Sequence, residues 1–395
     1  MIKKTDLNRV LSRSDNIAIN CYLVLAIVQG CALYHSGSTL ASPITSIVVS
    51  ILLNGSIALF CLNLFHYNKK KLSWEILIPF AYWIISILDS FENSKWDFVK
   101  LVQLSGFFLL SDYHKSILFE RFRKALIYVS IASLIALACY YLSIPIYRVV
   151  AYYTSKLESN TVYLDFYIVY LTKIGSIIQL CGIYNEPGYF GTIIALALCA
   201  SGFNLKDRNT LVLLAAGLFT LSMAFYSIVA TYVIFNSIKN KRYILLIVLA
   251  YISIIYVIPN HIHSDGLTQL VERFRFEGGQ FAGDNRSDET LDMMALFTVV
   301  NKSWWGLGGG YANYLSPGNM TFKTYLIDYG ILGFLLMYGS LIVPVFIKVC
   351  RTYRLDKMVF LLLFILSVYQ RPSVFIIPYF TLLYGGIMYL NLKKD

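Results

Sequence analysis

Long apolar runs separated by short polar stretches recur along almost the whole chain, and a bilayer crossing needs about 20 such residues in helical conformation. The runs at 16–35, 44–65, 74–90, 98–111, 125–146, 187–204, 210–223, 224–236, 243–259, 324–349, 357–370 and 374–391 predict about twelve membrane-spanning helices, an all-α polytopic integral membrane protein. With no repeat, Gly/Ser linker or low-complexity tract, a single integral domain over 1–395 is the economical reading. One step is open: 210–236 reads either as one long helix or as two short ones with a turn near Ser222 and Met223.

Charge bears on that step and sets the sidedness. If 210–236 crosses twice, Lys206 and Arg208 fall on the same side as Lys239, Lys241 and Arg242. The short opposite loops, 36–43, 91–97 and 371–373, then contain only Lys95 and Arg371. Excess Lys and Arg marks cytoplasmic loops, so both termini are expected there; a re-entrant pair would satisfy the same rule. Two long segments remain outside, 147–186 and 260–323, and long loops are where chemistry concentrates. Within the first, Tyr163–Tyr170 reads as a strand, an interfacial helix or part of a tilted span.

Composition narrows the classes. At 57% hydrophobic and 14% charged the chain lies far from soluble usage. A net charge of +11 would in isolation suggest nucleic acid, but the basic residues gather in short loops, as membrane sidedness demands, so no nucleic acid partner is expected. The seven cysteines include no C-x-x-C pair, and His261 and His263 lack further ligands at metal spacing. No P-loop, nucleophile elbow or H-E-x-x-H motif occurs. Neither external loop has a D-x-D pair, so any glycosyl transfer there is expected to be metal-independent.

The candidate chemistry lies outside. Arg273, Arg275 and Arg286 share a short stretch with glycines and acids; a guanidinium stays charged and grips phosphate with a planar fork, which suits a lipid phosphate or diphosphate. The competing reading pairs them with Glu272, Glu277, Asp284, Asp288 or Glu289. Trp304, Trp305 and Tyr311 flank Gly306, Gly308, Gly309 and Gly310 and suit either stacking on sugar faces or an interfacial aromatic belt. Tyr184, Asn185 and Glu186 end the first loop, before Pro187 opens a helix. Glu186 is either a cap for that helix or a functional carboxylate at the membrane, and Lys173 is a phosphate contact or a snorkelling residue.

The order N-E-P-G-Y-F-G (185–191), G-L-F-T-L-S-M-A-F-Y (217–226), G-D-N-R-S-D-x-x-x-D (283–292), W-G-L-G-G-G-Y (305–311) and Y-L-I-D-Y-G-I-L-G (325–333) resembles the bacterial O-antigen polymerase (Wzy) family, related to the O-antigen ligases. The resemblance covers about residues 170–335. It implies a GT-C-like membrane glycosyltransferase of the bacterial inner membrane with a large periplasmic loop. Such an enzyme joins undecaprenyl-diphosphate-linked oligosaccharide repeats on the periplasmic face, with no cofactor, beside membrane lipid and a possible chain-length regulator protein. It also implies a pyrophosphate-facing role for Arg286, while Glu186 corresponds to the polar residue before the proline. Charge stabilisation and acceptor orientation are the main tasks; a base is also needed, with Glu186, Asp284 and Asp288 the candidates.

Two departures separate the chain from ligases. Met223 stands where they carry arginine after T-x-S, and Asn319–Met320 stands where they carry H-N. These favour polymerase over a ligase transferring finished polymer to an acceptor. A flippase or transporter is the non-enzymatic alternative, and the lack of an internal repeat speaks against it.

Overall fold

The computed structural model describes residues 13–29, 31, 55, 74–93, 98–150, 161–174, 177–237, 276–277, 280–281, 289–316, 321–371 and 374–392. The expected spans at 44–65 and 243–259 lie outside these residues. In chain order the helices before the first long loop are α1 (Arg13–Val28), α2 (Leu77–Asn93, led in by a 3₁₀ turn at Trp74–Ile76), α3 (Phe98–Leu109) and α4 (Asp112–Tyr141). Strands β1 (Arg148–Val150), β2 (Thr161–Asp165), β3 (Tyr170–Ile174) and β4 (Ile177–Gly182) follow, then α5 (Pro187–Ala200), α6 (Arg208–Phe219) and α7 (Met223–Ser237). Beyond them come the short pair β5 (Phe276–Glu277) and β6 (Gln280–Phe281), α8 (Glu289–Val300), α9 (Tyr311–Leu315), α10 (Phe322–Cys350) and α11 (Leu355–Gln370). The chain closes with α12 (Ile377–Phe380), a π-helical turn at Thr381–Gly385, and α13 (Gly386–Leu392).

The described residues are therefore mostly helical, as the apolar runs predict. Two helices, α4 and α10, are long and apolar enough to cross a membrane. The open step at 210–236 resolves into two helices: α6 ends at Phe219 and α7 begins at Met223, with Leu221 at φ 50° in the turn. The break follows from close packing, because Gly217 of α6 leaves room for the ring of Phe225 of α7. The Tyr226 hydroxyl donates to the Leu218 carbonyl at 2.7 Å.

The chain groups into two compact units: 1–123, 288–361 and 368–395 form the first, 124–287 and 362–367 the second. In the second unit, the loop at 147–186 departs from the all-α expectation. It folds as a four-stranded antiparallel sheet in the order β1-β2-β3-β4. The turn between β2 and β3 is set locally, since the Asp165 carboxylate accepts the Tyr167 N–H at 2.7 Å and Tyr167 takes φ 71°. Such an Asx turn reverses the chain where an interfacial helix or tilted span would have to continue. α5 is the buried axis of this unit, enclosed from Phe190 to Ala200.

The first unit is held at several depths by polar contacts between distant helices. Gln29, just past the end of α1, donates to Gln103 of α3 at 2.7 Å and accepts the Ile377 N–H of α12 at 2.7 Å. The Glu75 carboxylate, 3% exposed, accepts from Lys115 of α4 at 2.5 Å and from Lys348 of α10, and Lys348 also reaches Asp112 at 3.1 Å. Lys115 is 1% exposed, its ammonium 5.5 to 5.7 Å from the ring centres of Phe107, Phe108 and Tyr384. Two cations and two carboxylates balance, which makes burial of such charges tolerable.

Candidate functional site

Strand β4 leads into α5 through a junction that fixes three of the candidate residues. Gly182 takes φ 62° with the Phe190 ring packed where a Cβ would point. Tyr184 is fully buried, its ring edge-on to Tyr189 at 5.0 Å and tilted against Phe190 at 5.5 Å. Asn185 is exposed at its side chain, while its carbonyl accepts the Tyr163 hydroxyl at 2.8 Å, tying the junction to β2.

Glu186 occupies the position before α5 in extended conformation (φ −149°, ψ 147°), and Pro187 supplies the first helical φ. Its carbonyl receives the Tyr189 and Phe190 N–H groups at 3.2 and 3.3 Å. The side chain makes no capping hydrogen bond and is half-buried. Burial pushes the neighbouring Cys181 thiol up to about 12; the Thr172 hydroxyl opposes the shift and the Glu186 charge adds to it. Lys173 lies half-buried on β3, in register with Val162 of β2 and Ile178 of β4.

Two of the sequence motifs meet in this unit. A Cβ on Gly191, the last residue of N-E-P-G-Y-F-G, would stand 2.7 Å from Ser222 Cβ and 2.8 Å from Thr220 Oγ1. The T-L-S turn between α6 and α7 therefore packs directly on the first turns of α5, and only glycine leaves that space.

Two further motifs pair in the first unit. The Leu307 and Gly308 N–H groups donate to the Ile327 and Asp328 carbonyls, each at 2.9 Å. Ile331 and Leu332 donate to the Ser303 and Trp304 carbonyls, each at 3.1 Å. The Asp328 carboxylate, 6% exposed, accepts the Gly310 N–H at 3.0 Å and the Ala312 N–H at 2.7 Å. It shapes the glycine run and opens α9. Trp305 stands exposed on this loop, and Tyr311 is partly exposed at 39%.

Arg273, Arg275, Asp284, Arg286 and Asp288 lie outside the described residues, as do Asn319 and Met320. Among the described residues no group of three or more His, Cys, Asp or Glu could hold a metal. The sequence reading assigned no role to Asp328, although it stands inside a motif quoted for the resemblance. It also passed over the Glu75–Lys115–Lys348–Asp112 cluster, whose members lie in separate segments. No family model, curated protein or solved structure matches this chain.

Proposed function

We propose that the chain is a membrane glycosyltransferase, an O-antigen or similar surface polysaccharide polymerase. It joins undecaprenyl-diphosphate-linked oligosaccharide repeats at the periplasmic face of the inner membrane, in an integral domain of about twelve spans. The reading rests on the resemblance; one structural observation supports it. Four of the five motifs that carry the resemblance are packed in two pairs, Gly191 on 220–222 and 303–308 on 327–332. They act as coherent pieces of architecture, where chance strings would scatter.

In this reading Arg286 faces the diphosphate leaving group, with Arg273, Arg275 and Lys173 as further phosphate contacts. Glu186, Asp284 or Asp288 takes the acceptor hydroxyl proton. Tyr184 and Asn185 shape the junction around Glu186, and Tyr311 stacks on sugar, while Trp305 takes the interfacial aromatic belt that its sequence also suits. A diphosphate already leaves readily, so the enzyme stabilises developing negative charge and orients the acceptor. The bond from the anomeric carbon to the diphosphate breaks, the bond to the acceptor oxygen forms, and the proton passes to the carboxylate. A chain-length regulator protein is the expected partner.

Gene deletion with plasmid complementation, followed by gel analysis of lipopolysaccharide, tests the reading. Collapse of the ladder to core plus a single repeat is the expected result. Bare core with polymer retained on the lipid carrier would instead identify a ligase, and no repeat reaching the outer side would identify a flippase.

A further inference from the structure

α8 lies in the segment 260–323, yet it is not a water-facing helix. One stripe, Leu291 and Ala295, packs with Ala312 and Ile327. The outward residues of its second half are apolar: Leu296 64%, Phe297 56% and Val300 67% exposed, followed after one turn by Trp304 at 56% and Trp305 at 67%. Exposed polar residues stand in its first turn, with Glu289 and Asp292, and at Asn301 and Lys302 beyond its end; Thr298 is buried and donates to the Met294 carbonyl at 2.9 Å. A loop helix bathed in water has no reason to expose this gradient.

What covers it follows from α10, in the same unit. α10 departs from helical geometry at Gly330 (φ 69°, ψ −172°). From Ile331 to Lys348 it rises roughly 27 Å at 1.5 Å per residue, close to the roughly 30 Å of a bilayer's hydrocarbon core. Lys348 marks one limit, bound to Glu75 and Asp112. The other limit is the break at Gly330, where Ser303 and Trp304 are hydrogen-bonded to Ile331 and Leu332. The end of α8 and both tryptophans are thus tied by the backbone to the level at which α10 leaves the hydrocarbon. That is the depth at which tryptophan is enriched. α10 likewise exposes apolar side chains along this length, at Leu335 and Val343.

We propose that α8 and the Trp304–Trp305 turn form a membrane-docking surface, with Phe297, Val300 and the indoles seated in the leaflet at the N-terminal end of α10. The partner is the lipid bilayer. The inference rests on α10 crossing the membrane and not on the catalytic reading, so either can fail alone.

The test places an environment-sensitive fluorophore at Phe297→Cys, Val300→Cys and, as a control in the polar first turn, Thr290→Cys. The full chain, its native cysteines replaced, is reconstituted in phosphatidylcholine–phosphatidylglycerol vesicles. Lipids brominated high on the acyl chain should quench most of the emission at positions 297 and 300 and little at 290, with aqueous iodide doing the reverse. Iodide quenching at 297 and 300 would overturn the proposal, since the face would then be in water. Protection from both quenchers would overturn it in favour of a protein segment or a second copy. Should the cysteine-replaced chain fail to fold, brominated-lipid quenching of the native chain is compared with that of Trp304→Phe and Trp305→Phe. The quenched fraction should fall in both variants, and an unchanged fraction would refute the docking.

Discussion

Gly306 and Gly330 face each other backbone to backbone, so that a Cβ built on either would overlap the other's amide nitrogen, and both hold positive φ, 71° and 69°. Alanine at either site costs the left-handed penalty, about 1–2 kcal/mol, plus displacement of a backbone that is hydrogen-bonded in place, about 1–3 kcal/mol more. Gly310 has φ 91° but open space around its Cβ direction, so Gly310→Ala should cost only the first part. Thermal unfolding in detergent should rank both the 306 and 330 variants well below the 310 variant; equal losses would contradict the close approach.

Asp328 offers one oxygen to each of two backbone donors. Asp328→Ala strands the N–H of buried Ala312 and removes the partner of the Gly310 N–H at an exposed residue, a loss of about 2 kcal/mol at 1–3 kcal/mol per buried orphaned group. Asp328→Asn keeps one acceptor and should fall between. A protease cutting in 303–316 reports the loop directly, with faster cleavage in the order alanine, asparagine, native.

Removing Glu75 leaves the ammonium of Lys115 buried among three rings, whereas removing both partners leaves Lys348 paired with Asp112. Breaking a buried pair from one side costs about 3–5 kcal/mol, while replacing both by apolar groups is often neutral. Glu75→Leu should therefore be unstable and the double variant with Lys115→Met close to native. Additive losses in a double-mutant cycle would show that the pair is not coupled.

Glu186→Gln removes the charge at the head of α5 but keeps the size and hydrogen-bonding capacity of the side chain, so the fold should survive the change with a small thermal shift. Under the polymerase reading it should sharply reduce the lipopolysaccharide ladder. A large thermal shift with the ladder intact would return this residue to a structural role.

Cys181 is fully buried and its thiol is raised to about 12. At pH 8 the thiolate, which is the reactive form, is roughly one part in ten thousand. Peptide-resolved mass spectrometry should find Cys181 unmodified by iodoacetamide in the native protein and modified after denaturation.

The long helices were legible because apolar run length reports them directly: α10 stands where run 324–349 was read, and α4 covers most of run 125–146 but begins at Asp112, in the polar stretch before it, and ends at Tyr141. The break at 220–222 was legible through charge, since Lys206, Arg208 and Lys239 favour a reversal between them. The sheet was not. β4 is buried at every position from Ile177 to Gly182, and a strand covered on both faces loses the alternation that betrays strands. α8 escaped notice because twelve residues inside a polar segment offer too short a period. The Glu75–Lys348 contact joins residues 273 positions apart, and no local pattern encodes such a meeting. Tyr184–Glu186 was read from a motif and is now given its geometry, whereas the arginine stretch lies outside the described residues.

α10 is fastened at both ends, by backbone bonds from 303–304 to 331–332 and by Lys348 to two carboxylates. A helix free at one end absorbs a change in membrane thickness by tilting; one clamped to its neighbours must pass the mismatch to the lipid instead. Where α10 crosses a bilayer, the length between the two fastenings acts as a ruler. Membranes of short or long acyl chains would have to stretch or thin around this protein, at a cost of fractions of a kcal/mol per ångström, and that cost would sort the chain toward bilayers of matching depth.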